Sequence, residues 1–167
     1  MDDLISLHWP KDGARVLDLC LRAHDYVEME TGDAPDLAYV RENMTDAPPD
    51  VPTDQIWCWG HADANGTLDG IVTCLKGYYE KDDWYLGLLL LAPAARGNGL
   101  GAKMTQHVIE QARADNAACL RVAVLDTNTS ALQFWTRLHF LHEKSTAMGD
   151  GQLRHVHRLD FAREPLQ

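Results

Sequence analysis

The segment Leu88-Leu89-Leu90-Leu91-Ala92-Pro93-Ala94-Ala95-Arg96-Gly97-Asn98-Gly99-Leu100-Gly101 constrains this chain more than any other. Its unbroken apolar run has the pattern of a strand covered on both faces, and Pro93 ends it. Three glycines spaced by one residue then lead into 100–114, where Leu100, Met104, Val108 and Ala112 recur at helical spacing. Glycines there let several backbone N–H groups converge on one anion with no Cβ in the way. The helix start adds a partial positive charge and Arg96 a full one. A buried strand, a tight turn and an amphipathic helix in this order suit a pyrophosphate.

The rest of the chain supplies the layers around that unit. A short first strand is expected at Leu4–His8, then a helix capped by Asp12 and running to about Glu30, ended by Gly32. A second helix spans Pro35–Met44, and the prolines at 48, 49 and 52 make Asp46–Thr53 a loop. Strands follow at Ile56–Trp59, Leu68–Tyr79 and Trp84–Leu91, the first two joined by an Asn65-Gly66 turn. After the glycine-rich helix come a buried strand at Cys119–Leu125 and a helix at Thr129–Leu138. Two strands, Leu141–Met148 and Leu153–Asp160, flank Gly149-Asp150-Gly151. The order predicts an α/β sandwich with a mixed sheet, and the 167 residues form a single domain without repeats or linkers.

Charge divides along the chain. Residues 1–83 carry 18 acids and 6 bases, a net −12, whereas residues 84–167 carry 7 acids and 9 bases, a net +2. The overall −10 argues against binding nucleic acid, which requires a basic face. Asp25–Asp54 alone holds nine acids against Arg41. No signal peptide is visible at Met1-Asp2-Asp3, and no apolar stretch approaches the ~20 residues that span a bilayer. Cys20, Cys58, Cys74 and Cys119 are scattered in apolar segments, as reduced core residues are. A cytoplasmic protein with no membrane partner is expected, as monomer or homodimer. His139, His142, His155 and His157 lie close in sequence but lack ligand spacing, so no metal is expected.

Three phosphate-binding classes compete for the glycine segment. Ala102 and Met104 stand where a Walker loop needs glycine and a hydroxyl, which excludes it. Gly97-x-Gly99-x-x-Ala102, with Asp126 closing the next strand, fits an NAD(P)-binding oxidoreductase locally. Only about forty residues follow Asp126, however, too few for the remaining parallel units. From Trp84 to about Lys144 the sequence resembles the GNAT-type N-acetyltransferases. Arg96-Gly97-Asn98-Gly99-Leu100-Gly101 meets their Arg/Gln-x-x-Gly-x-Gly/Ala signature. Their next motif is echoed by Asn128, Ala131, Phe134-Trp135 and Leu138-His139-Phe140.

The resemblance implies a mostly antiparallel mixed sheet, with a splayed central strand pair and helices on both faces. Residues 84–144 would be the acetyl-CoA-binding core, 1–83 the acceptor-side half and 141–160 a C-terminal hairpin. Leu89, Leu90 and Leu91 would pair with the pantetheine arm, and the Leu91 N–H would be the thioester oxyanion donor. Arg96, Gly97, Asn98, Gly99, Leu100, Gly101 and Ala102 would hold the pyrophosphate, while Asn128 contacts the arm or caps its helix. Trp135 would also contact the cofactor, but it stands where many family members carry an acidic tyrosine, and an indole N–H is no acid. His139 replaces the glycine of the last motif. Glu80 and Tyr85 are the catalytic candidates near the mouth, with Glu30 and Tyr26 from the acidic helix.

The function so implied is acetyl transfer from acetyl-CoA to a small-molecule or peptide amine by direct attack on the thioester. The acidic stretch suggests a cationic acceptor. The missing tyrosine leaves a non-catalytic CoA-binding or regulatory module as the alternative.

Overall fold

The computed structural model describes residues 4–147 and 149–162. The glycine-rich segment joins β4 (Asp83–Leu91) to α4 (Leu100–Ala114), and the sheet is arranged around that strand. Before it lie β1 (Ile5–Ser6), α1 (Gly13–Arg22), α2 (His24–Thr31), α3 (Leu37–Thr45), β2 (Ile56–Ala62) and β3 (Leu68–Lys76). After it lie β5 (Cys119–Leu125), α5 (Thr129–Arg137), β6 (Leu141–Ala147) and β7 (Leu153–Asp160). The seven strands form one sheet in the order β1-β2-β3-β4-β5-β7-β6. β4 and β5 run parallel and every other pair is antiparallel. That mixed, mostly antiparallel sheet is the expected fold class, and it sets aside the parallel sheet of a dinucleotide fold.

Two apolar cores cover the two faces. Met104, Val108 and Ala112 of α4 pack with Trp135 of α5 on Val72, Leu86, Leu120 and Val122. Val16, Leu19 and Cys20 of α1, Val27 of α2 and Val40 of α3 pack on Ile71, Leu88 and Leu90. Each fully buried aliphatic side chain contributes about 1.5–3 kcal/mol, so the face assignment of β4 is strongly specified. Leu86 belongs to the α4 side, but Leu88 and Leu90 belong to the other. A strict two-residue alternation would have kept all three together. The phase changes because β3 pairs Cys74 with Leu86 and Thr73 with Leu88, leaving Gly87 as the extra residue of a bulge. The bulge therefore turns Leu88 and Leu90 to the α1–α3 side and leaves Leu89 and Leu91 on the α4 side.

Three elements depart from the sequence expectation. The helix expected over 12–30 is two helices that break at Ala23, whose φ/ψ of −106/33 leaves the helical region. The break lets α1 lie on β3 while α2 carries Tyr26 and Glu30 to the cleft between β4 and β5. Ala23 carries no breaker signal. Asp12 sits at the N-cap position, yet its buried carboxylate accepts from the His8 N–H at 2.8 Å, not from its own helix. The strand expected to reach Tyr79 ends at Lys76, because Gly77 enters the left-handed region at φ 91 and bonds back to the Asp83 carbonyl. Met148, expected to end the sixth strand, lies outside the described residues. The four cysteines are free and buried. Among the described residues, no helix is long and apolar enough to cross a membrane.

Candidate functional site

The opening in the sheet follows from the bulge. β4 and β5 pair from Asp83↔Cys119 to Leu86↔Val122, and pairing stops where Gly87 begins. A Cβ on Gly87 would stand 3.0 Å from the Thr73 hydroxyl, so the bulge is tightly backed by β3. Beyond Gly87 the two strands enclose a cleft of about 280 Å³. Its walls come from 87–91 of β4, 122–125 of β5, Asn128 and Phe134 of α5, and Tyr26 and Glu30 of α2.

Polar groups of the β4 edge face this cleft in alternation. The Ala92 N–H bonds to the Asp69 carbonyl at 2.9 Å, which makes 92 and 69 a hydrogen-bonded pair. Leu91 and Leu89 fall on the alternate positions, opposite Gly70 and Val72, so their N–H and C=O groups turn toward the cleft. The Leu91 carbonyl accepts from Arg96 Nε at 3.2 Å on that side. Leu90 differs from the expectation for it. Opposite Ile71, its backbone groups belong to the ladder with β3 and its side chain to the α1–α3 core.

At the outer end of the cleft Gly97 and Gly99 adopt φ of 81 and 84. Gly99 starts α4 without a side-chain cap. Among the described residues, the N–H groups of Gly97, Asn98, Gly99, Leu100, Gly101 and Ala102 meet no acceptor; the first bond into the helix is Lys103 N–H to the Gly99 carbonyl. Six unpartnered donors at a helix start form an anion cradle. No side chain blocks it, since a Cβ at 97 or 99 would have open space around it.

Arg96 stands at the cradle but is engaged elsewhere. Its guanidinium grips the Asp25 carboxylate of α2 at 2.7 and 3.0 Å. The Arg96 guanidinium holds the Asp25 carboxyl down to about 2. Its full charge is thus shared with α2, and the pair draws α2 against the cleft. Asn128 caps α5 by accepting from the Ala131 N–H at 3.2 Å while lining the cleft. Trp135 is buried at 4% exposure, edge-on to Phe134 and Phe140. It borders the cleft as a packing residue.

A second cavity, about 670 Å³, opens on the α2 side of the β4–β5 split. It shares Glu30, Gly87 and Ala123 with the first, so the two meet at the vertex of the split. Tyr85 lines it, and burial raises its phenol above the ordinary range. Burial raises Tyr26 likewise, in the first cleft. Glu80 is exposed in the β3–β4 turn, where its N–H donates to Asp83, and it lines neither cavity. Of the acidic stretch only Asp25 and Glu30 reach the cavities, and each is paired with an arginine: Asp25 with Arg96, Glu30 with Arg154.

Sequence reasoning missed Tyr78, Tyr79, Lys144 and Arg154 in the second cavity. The two tyrosines end a run that reads as strand, and the cations come from the distant hairpin. The histidines of that hairpin do other work. His155 joins Ser145 at 2.7 Å to Asp126 at 2.6 Å, and His142 joins Ser145 at 2.9 Å. Among the described residues no cluster of three His, Cys, Asp or Glu side chains is placed to hold a metal.

A mostly antiparallel sheet split at its one parallel pair, with an anion cradle where the split strand meets a helix, defines an acyl-CoA-dependent acetyltransferase fold. A family model described as the acetyltransferase (GNAT) family matches residues 21–140, and the chain belongs to that family. Among solved structures, an acetyltransferase from Thermus thermophilus is similar at 19% identity and TM-score 0.75, over 96% of this chain and 98% of that one. The ribosomal-protein-S18-alanine N-acetyltransferase from Escherichia coli is similar at 18% identity and TM-score 0.73, over 100% and 99%. The NatC complex bound to a Gag peptide and CoA contains a chain similar at 11% identity and TM-score 0.67, over 96% and 100%. At these identities the likeness is one of fold. No curated protein matches the sequence.

Proposed function

We propose that this protein transfers the acetyl group of acetyl-CoA to an amine by direct attack on the thioester. The observation that carries the reading is the free β4 edge, which runs from the vertex shared with the second cavity to the unpartnered N–H cradle at α4. Gly97 to Ala102 hold the pyrophosphate through their N–H groups. The outward-facing groups of Leu89 and Leu91 hold the pantetheine arm, and Asn128 borders it. Leu91 lies at the outer part of the edge, whereas Leu89 lies two residues nearer the vertex, which makes the Leu89 N–H the better-placed oxyanion donor. Such a donor is typically worth about 10²–10³ in rate.

Glu30 faces the incoming ammonium and takes its proton. The amine nitrogen bonds to the thioester carbonyl carbon, and as the C–S bond breaks the nitrogen's second proton passes to the departing thiolate, leaving a neutral amide and the CoA thiol. Tyr85, its phenol weakened as an acid by burial, serves that thiolate as a hydrogen-bond donor and not as its proton source. Orientation and carbonyl polarisation carry the rate. The acidic Glu30 supports an acceptor that arrives as a cation at its amine. Four free buried cysteines agree with a reducing, cytoplasmic location.

The test is titration of acetyl-CoA into the wild type, Gly99→Ala and Gly99→Glu. Gly99→Ala bears only the strain of φ 84 and loses affinity a few-fold, while Gly99→Glu adds a carboxylate beside the phosphates and abolishes binding. Equal affinity of wild type and Gly99→Glu refutes the cradle. Saturable binding with no transfer to any amine indicates the regulatory module instead.

A further inference from the structure

The charges of the second cavity say more about the acceptor than its amine alone. Its lining includes Glu30, Asp150, Arg154 and Lys144, two of each sign. Arg154 is committed to both acids, at 3.3 Å from Glu30 and 3.2 Å from Asp150. Lys144 has no carboxylate among the described residues; its ammonium rests over the Tyr79 ring at 4.4 Å. The other cation on that ring, Arg121, also at 4.4 Å, is taken up by Asp83 and Glu143. Lys144 is thus the cavity's uncompensated cation. It stands on the hairpin wall, away from the vertex of Gly87 and Ala123 where an amine must meet the thioester.

A polyamine would bring a second ammonium against Lys144, which is unfavourable at close range. A carboxylate there gains a charge-assisted bond. The wall between the two ends is aromatic: Tyr78, Tyr79 and Tyr85 cluster with ring centroids 4.8–6.2 Å apart. Among the described residues none of their hydroxyls has a hydrogen-bond partner, so they remain available to a ligand. The cavity, about 670 Å³, is of the size that holds a small molecule.

We infer that the acceptor is an amine that carries a carboxylate several bonds away, its amine at Glu30, its carboxylate at Lys144 and the apolar or aromatic segment between them on the three tyrosines. This deepens the acetyltransferase reading and rests on it.

The experiment compares amines that carry a distant carboxylate with counterparts that lack it, 4-(aminomethyl)benzoate against benzylamine and 6-aminohexanoate against pentylamine, by release of CoA thiol. The carboxylate-bearing amine of each pair is expected to show at least a tenfold higher kcat/KM. Lys144→Gln is expected to narrow that ratio about tenfold, through KM of the carboxylate-bearing amine. Transfer to the amines without a carboxylate at equal or higher efficiency, or an unchanged ratio in Lys144→Gln, overturns the acceptor assignment and leaves the transferase reading standing. No transfer to any amine despite saturable CoA binding overturns both.

Discussion

His139 holds a position built for glycine, and replacing it should stabilise the protein. α5 ends in a Schellman motif: the Phe140 N–H bonds to the Trp135 carbonyl at 3.1 Å and the His139 N–H to the Thr136 carbonyl at 3.0 Å. The accompanying apolar contact is the Trp135–Phe140 ring pair, with centroids 5.1 Å apart. The motif requires a left-handed residue between them, and His139 takes φ 71. That conformation costs a side-chain-bearing residue about 1–2 kcal/mol. Glycine removes the cost but loses about 0.5–1 kcal/mol more in chain entropy. His139 is exposed, so little packing is given up. The net expectation for His139→Gly is a gain of about 0.5–1 kcal/mol, or roughly 1–4 °C in Tm for a chain of this size. His139→Ala keeps the Cβ and the strain and should gain nothing. Thermal and urea unfolding of the three proteins at pH 7 decides it. If His139→Ala matches or exceeds His139→Gly, the backbone conformation is not what the histidine costs.

Two further perturbations test the charges that frame the site. Arg121 (6% exposed) and Asp83 (8%) form a buried pair at 2.6 Å beneath Tyr79, so Arg121→Met should cost about 3–5 kcal/mol by stranding the carboxylate. A urea midpoint that moves by the equivalent of less than about 1 kcal/mol would contradict that. Asp25 has its folded pKa lowered to about 2 by Arg96, below its ordinary value. Its contribution is therefore fully present above about pH 4 and fades as pH falls toward 2. The stability difference between wild type and Asp25→Asn should be present at pH 5 and shrink by pH 2. A difference that stays constant over that range removes the ion pair as its cause.

The strand–glycine–helix unit was legible because each of its requirements is local. A proline stops a strand, glycines accept positive φ, and a 3.6-residue period marks the helix. Gly97 and Gly99 indeed adopt φ of 81 and 84 where the motif needs them. The helix break at Ala23 was not legible, since nothing in Arg22-Ala23-His24 disfavours helix and tertiary packing imposes the turn. Glu80 is close to β4 in sequence, yet it sits exposed in a turn and lines neither cavity. Arg154 carried no signal of a site, because its carboxylates lie far along the chain or across a turn, and Lys144 carried none because no local pattern shows that its ammonium faces an aromatic ring instead of a carboxylate.

Two motifs that resemble the family's were enough to indicate the family, and short-range patterns of backbone freedom and apolar period indicated the alternation of layers and the strand–glycine–helix turn. Tertiary structure decided where the charges go. Of the acids behind the −12 of the first half, two reach the cavities, each beside an arginine from the second half. It also decided the phase of β4, where the extra residue at Gly87 sets which leucines face which core, and pairing with β5 ends there. The cause is the same in both. Electrostatic partners and strand register are set by groups that meet only once the chain has folded, so no local run of residues contains them.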